Sequence, residues 1–181
     1  MNWDDLNKLS VLLAQRNRLD EQIAVLIGRP AQTGHLGEFI ASAVFDIELA
    51  PSASTRGIDG WFRAGPLEGQ TVNVKWYPKR ENLLDLVAAG PDFYLVLTGP
   101  RVPAGSSRGT SRPLVINEVF LFNANDLLFT LRARGRSIGI ATSTWASDWE
   151  AARIFPVTQG SQFALSSAQD AALKLFSGNL S

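Results

Sequence analysis

A chain of 181 residues is long enough for one domain with its own core and short for two. Formal net charge is zero, which excludes a global positive field announcing a nucleic-acid partner, although a local patch suffices to hold phosphates. No cysteine and one histidine, His35, exclude disulfides, thiolate or His-rich metal sites and cysteine nucleophiles, and leave Ser-His chemistry to one imidazole. The absence of cysteine fits a reducing cytoplasm. No apolar run approaches about 18 residues, so no membrane span is expected. Asp4 and Asp5 after Trp3 lack the basic-then-apolar order of a signal peptide.

In chain order, residues 3–27 read as one long helix. Leu9, Leu12, Leu19, Ile23 and Leu26 recur three or four apart, Leu6, Leu13 and Ile27 widen the stripe, and Arg16 interrupts it. Gly28 and Pro30 stop it. The stripe suits a helix packed on its own domain, or a homodimer contact between two such helices. A second helix is expected over residues 33–45, with Leu36, Phe39, Ile40, Ala43 and Val44 as its main stripe. Glu38 lies nearly opposite that stripe, on a side it shares with Ala41 and Phe45. Residues 47–49 suit a short strand. Residues 81–89 suit a short helix ended by Gly90-Pro91, and residues 93–98 a strand buried on both faces.

Residues 99–113 are rich in Gly, Pro, Ser and Arg and read as a mobile basic loop. A strand follows over residues 115–122, then a helix capped by Asn125 and ending near Arg134, where Arg132, Arg134 and Arg136 cluster. Residues 145–149 open a short turn or helix. Ser166 or Ser167 caps a last amphipathic helix. The chain thus divides into an N-terminal helix (1–28), a core (33–98), the basic loop (99–113) and a C-terminal extension (114–181), all within one domain.

Two runs near the middle carry the candidate chemistry. Residues 57–63 (GIDGWFR) and 71–77 (TVNVKWY) are strand-like and joined by a Gly/Pro turn. In the second, Val72, Val74 and Trp76 alternate with Asn73, Lys75 and Tyr77. A period of two sends the first set to the core and puts Asn73 and Lys75 on one face. A hairpin between the runs brings Asp59 beside that pair, so an acid, an amide and an amine converge. Read singly, Asp59 also suits a turn, Asn73 and Lys75 the solvated face of an edge strand, and Glu38 the first turn of a helix.

Helix Glu38, strand Gly57-Ile58-Asp59 and strand Val72-Asn73-Val74-Lys75 resemble the PD-(D/E)xK core of the restriction-endonuclease-like superfamily. The resemblance spans residues 33–98 and implies an α/β fold: helix, three strands, helix, strand, with an added N-terminal helix and a C-terminal strand-helix extension. It implies a Mg2+- or Mn2+-dependent DNA endonuclease of restriction, repair or phage-related type. Asp59, Asn73 and Glu38 would hold the metal and Lys75 would orient or activate the attacking water. Asn73 stands where the family usually has Asp or Glu. In this the chain is similar to Mrr-type enzymes, which carry Gln there, and to small bacterial domains of this fold. An amide oxygen can still coordinate a hard cation, with one negative charge fewer. Lys79, Arg80, Arg101, Arg108 and Arg112 are the expected phosphate contacts. Trp76 is expected inward, and His35 on the surface. Two alternatives follow from the same residues: a degenerate nuclease-fold module that binds DNA or a protein without cutting, and an assembly protein dimerising through the N-terminal helix.

Overall fold

The centre of the molecule is a mixed six-stranded sheet. The computed structural model describes residues 2–51, 57–101, 113–157 and 163–178. Its strands are β1 (Ile47–Leu49), β2 (Gly60–Phe62), β3 (Thr71–Tyr77), β4 (Leu83–Leu84), β5 (Phe93–Thr98), β6 (Glu118–Asn123), β7 (Thr142–Ser143) and β8 (Arg153–Phe155). Among the described residues its helices are α1 (Trp3–Ile27), α2 (Thr33–Phe45), α3 (Ala124–Ala133), α4 (Ala146–Ala152) and α5 (Ser167–Lys174). The sheet order is β1-β2-β3-β5-β6-β8, and β4 pairs with β7 in a separate ribbon. β1, β2 and β3 form an antiparallel meander; β3 and β5 run parallel; β6 and β8 close the far side antiparallel.

Alternation along the strands feeds two cores. Val72, Val74 and Trp76 of β3, with Leu95 and Leu97 of β5, pack against Ile40, Ala41 and Phe45 of α2 and Leu173 of α5. On the other face, Tyr94 and Val96 of β5, with Phe120 and Phe122, pack against α3 and against Trp149 of α4. Burial on both faces is why residues 93–98 carry no polar alternation. Gly37 lets α2 lie close on β3, since a Cβ there would come within 3.2 Å of the Trp76 Cβ. Gly60 does the same between β1 and β2: a Cβ would sit 2.2 Å from the Glu48 carbonyl oxygen.

Several expectations are corrected. Residues 81–89 are not helical; they hold β4 and an extended segment lying over the second core, with Leu84 and Leu86 buried. The Tyr77 and Tyr94 hydroxyls accept from the N–H groups of Asp85 and Val87, giving this segment the partners a helix would have supplied. The connection between the parallel strands β3 and β5 therefore contains a strand where the expected core has a helix. α3 is capped by Asn123, whose side chain accepts from the Asp126 N–H, rather than by Asn125. β6 begins at Glu118, three residues later than the apolar run suggests. The buried side of α2 is Gly37, Ile40, Ala41 and Phe45, whereas Phe39 and Ala43 are exposed.

α1 differs most from expectation. Asn2 caps it by accepting from the Asp4 N–H, and Gly28 ends it at a φ of +68°. It does not pack along its own domain: no residue of α1 is buried. Among the described residues it meets α2 toward its C-terminal end, where Asp20, Ile23, Ala24 and Ile27 are partly covered.

Candidate functional site

β2 is shorter than the strand it pairs with, and the site lies where it ends. Its register with β3 is Gly60 opposite Val72 and Trp61 opposite Thr71. Beyond Val72, β3 continues to Tyr77 with no ladder partner on that side. Asp59 occupies the fork. Its N–H donates to the Val72 carbonyl at 2.9 Å, and its own carbonyl accepts from the Ala50 N–H at 2.8 Å, so its backbone is held from both neighbouring strands. Its carboxylate Oδ2 accepts from the Val74 N–H at 2.7 Å, taking the place a strand partner would have filled. Asp59 is therefore pinned to the backbone of the residue between Asn73 and Lys75.

The face assignments on β3 follow the alternation. Asn73 pairs across to Tyr94 and Lys75 to Val96, both on the face away from α2. Asn73 is 4% exposed, and its Oδ1 has no hydrogen-bond partner among the described residues. A buried amide oxygen without a donor costs its desolvation, of order 1–3 kcal/mol, unless something else supplies the contact. Lys75 is half-buried; its backbone pairs with β5, and its ammonium, which makes no ion pair among the described residues, acts on the charge of Asp59.

Glu38 reaches the fork from α2. Its side chain is 17% exposed and pairs with Arg29, which directly follows the Gly28 stop of α1. Burial pushes the Asp59 carboxyl above its ordinary value; the Val74 N–H opposes this, the Glu38 carboxylate adds to the rise, and Lys75 and Arg29 oppose it. Glu38, Lys75 and Arg29 thus all lie close enough to act on the charge of Asp59.

The oxygen donors at the fork are the Asp59 carboxylate and, once freed from Arg29, the Glu38 carboxylate, while the Asn73 amide oxygen lies on the sheet face away from α2. These are hard ligands of the kind Mg2+ takes, and the orphaned Asn73 Oδ1 is chemically of the same kind. Among the described residues, no three or more His, Asp or Glu side chains are grouped to hold a metal ion. A cation at the fork would therefore have two acids within reach, with the Asn73 amide on the opposite side of β3 from α2.

The expected phosphate contacts fare differently. Arg80 is a correction: its side chain is 1% exposed, bonded to both Glu118 oxygens at 3.0 Å and to Glu150 at 3.2 Å, and unavailable to a phosphate. Lys79 pairs with Glu81 at 2.7 Å. Arg101 is exposed, while Arg108 and Arg112 lie outside the described residues. Arg134 is committed to Asp148 and stacks over Trp145. Trp76 is buried as expected. Tyr77 has its hydroxyl engaged by Asp85 N–H, and burial raises its pKa. His35 Nδ1 lies 2.9 Å from the Pro30 carbonyl, a bond that ties the start of α2 to the preceding turn.

Arg29 is the site residue that sequence reasoning missed. It sits in the turn after a helix stop, with no spacing or motif to single it out. No helix of the described residues is long and apolar enough to cross a membrane. No protein-family model matches the chain, and no curated protein matches it either.

Proposed function

We propose that the chain is a divalent-metal-dependent endonuclease hydrolysing DNA phosphodiester bonds, on a restriction-endonuclease-like core. The single observation that carries this is the bond from Val74 N–H to Asp59 Oδ2, which centres the acid on the Asn73–Lys75 step. The antiparallel meander β1-β2-β3 followed by parallel β5 also supports it. Asp59 would hold the cation, with Glu38 completing the set. A bound Mg2+ supplies neutralisation of the phosphate charge and a water acidic enough to attack. Asp59 is held rigid by three hydrogen bonds, so its free carboxylate oxygen has a fixed position. Lys75, with no acceptor of its own among the described residues, orients the water and meets the scissile phosphate oxygen. Hydrolysis then joins the water oxygen to phosphorus and breaks one P–O ester bond, with a proton ending on the leaving oxygen.

The test is cleavage of plasmid and linear DNA in Mg2+ or Mn2+. Lys75→Ala is expected to reduce it by about 100-fold or more, the usual contribution of a positioned proton-transfer group. Undiminished cleavage by that variant would remove the mechanism. A second reading is favoured by the Arg29–Glu38 pair, which leaves one acid already neutralised: a non-cutting module of the same fold that binds DNA or a protein. Absence of cleavage of any substrate, with retained DNA binding, would select it.

A further inference from the structure

We infer that α1 is an intermolecular element that pairs antiparallel with α1 of a second copy of this chain, whether or not the site cuts. The helix has 25 residues, none of them buried. Leu12 and Leu19 are 60% and 59% exposed, and Leu26 is 74% exposed. An isolated helix of this kind is marginal in water, and its stability comes from covering the apolar face. Among the described residues, the part of α1 that its own domain partly covers is the C-terminal turns.

The charges identify the occupant. The seam runs through Leu9, Leu12, Arg16, Leu19, Ile23 and Leu26, alternating three and four residues apart. In a parallel pair Arg16 would face Arg16, and Asp4 and Asp5 would face their own copies. Turned antiparallel about a two-fold axis between residues 17 and 18, the same six residues pair off in register, with Ile23 also partly covered by α2 of its own copy. Leu9 of one copy lies beside Leu26 of the other, Leu12 beside Ile23, and Arg16 beside Leu19. Asp20, which already pairs with Arg16 on its own helix, then flanks the second copy's Arg16. The two helix dipoles also oppose in this arrangement. A second copy in this orientation therefore answers both the apolar stripe and the charge that breaks it.

Because the chain has no cysteine, orientation can be read by cross-linking. Leu9→Cys and Leu26→Cys lie on exposed positions outside the core. In the antiparallel pair two Leu9 positions are about 25 Å apart along the helix. A 1:1 mixture of the two single variants is expected to give a disulfide-linked dimer on mild oxidation, and Leu9→Cys alone is expected to give none. Sedimentation of the full chain at tens of micromolar should show twice the monomer mass. Leu12→Asp with Leu19→Asp should weaken self-association at least about 10-fold, with the far-ultraviolet circular dichroism of the domain retained. A monomer at all concentrations, efficient self-linking of Leu9→Cys, or a dimer unaffected by the double substitution would each overturn the inference. None of these readouts depends on nuclease activity, so failure here and failure of the cleavage assay are separate results.

Discussion

Two polar clusters grow out of β3, and they differ in whether their charges are answered. At its C-terminal exit, Arg80 is buried between Glu118 and Glu150, with Arg153 joining both acids. Its guanidinium also lies 4.9 Å from the Phe120 ring centroid and 5.3 Å from that of Trp149. At the middle of the strand, Asp59 stands beside a second acid, Asn73 buries an oxygen without a donor, and Lys75 has no acceptor among the described residues. The first cluster pairs its charges and reads as a brace between β6, α4 and the crossover, although Arg80 Nε is buried without a partner among the described residues just as Asn73 Oδ1 is. The second leaves two acids side by side and the Lys75 ammonium without an ion pair among the described residues, which is the difference the proposed metal site rests on.

Stability measurements on the two cations break or sharpen that contrast most strongly. Arg80→Met should cost about 1–3 kcal/mol in urea unfolding, because it removes the buried cation and leaves Glu118 and Glu150 to Arg153 alone. Lys75→Met should change stability by no more than about 0.5 kcal/mol, since no ion pair is lost. Equal effects at both positions would erase the distinction, and a loss below about 1 kcal/mol at Arg80 would reduce the brace to a surface pair.

The two clusters also differ in how far local sequence exposes them. The Asp59 step was legible because strand alternation fixes which residues of β3 share a face, and that rule is local. The hydrogen bond to Val74 was not legible, because it depends on β2 ending early. Arg80 invites assignment to phosphate binding from its place after the site strand. Its acids come from 38 and 70 residues away, beyond any local pattern. The crossover failed for the same reason. Leu83, Leu84 and Leu86 suit a helix as well as a strand, and the decision is made by β7, about sixty residues on. For α1 the periodicity yielded the helix and its apolar stripe correctly, but a stripe does not name its partner.

A smaller effect is expected at Asn73. If its Oδ1 is kept unpartnered for a ligand, Asn73→Val should stabilise the protein by about 1 kcal/mol, since the desolvation of an unmatched acceptor disappears and a β-branched residue suits the strand. Cleavage should be lost in the same variant. A destabilisation of that size instead would mean the amide is bonded in the folded protein, and the second cluster would be as structural as the first.

The finest distinction is the charge state of Asp59. Its carboxyl is raised in the folded chain above the ordinary 3.8, chiefly by burial, with Glu38 adding to the rise. The folded state therefore binds the proton more tightly than the unfolded one. The stabilisation this gives is fully present below pH 3.8 and is lost as pH rises through the folded pKa. Without metal, the melting temperature of the wild type relative to Asp59→Asn should accordingly fall as pH is raised from about 4 to 7. At neutral pH the ionised acid beside Glu38 is the unfavourable arrangement that a cation would relieve. Mg2+ should then stabilise the wild type by about 1 kcal/mol at a few times its dissociation constant. That gain should shrink as Asp59 takes up its proton and be absent in Asp59→Asn. A Mg2+ effect of the same size in both proteins would place the ion elsewhere and leave Asp59 as a backbone cap for Val74.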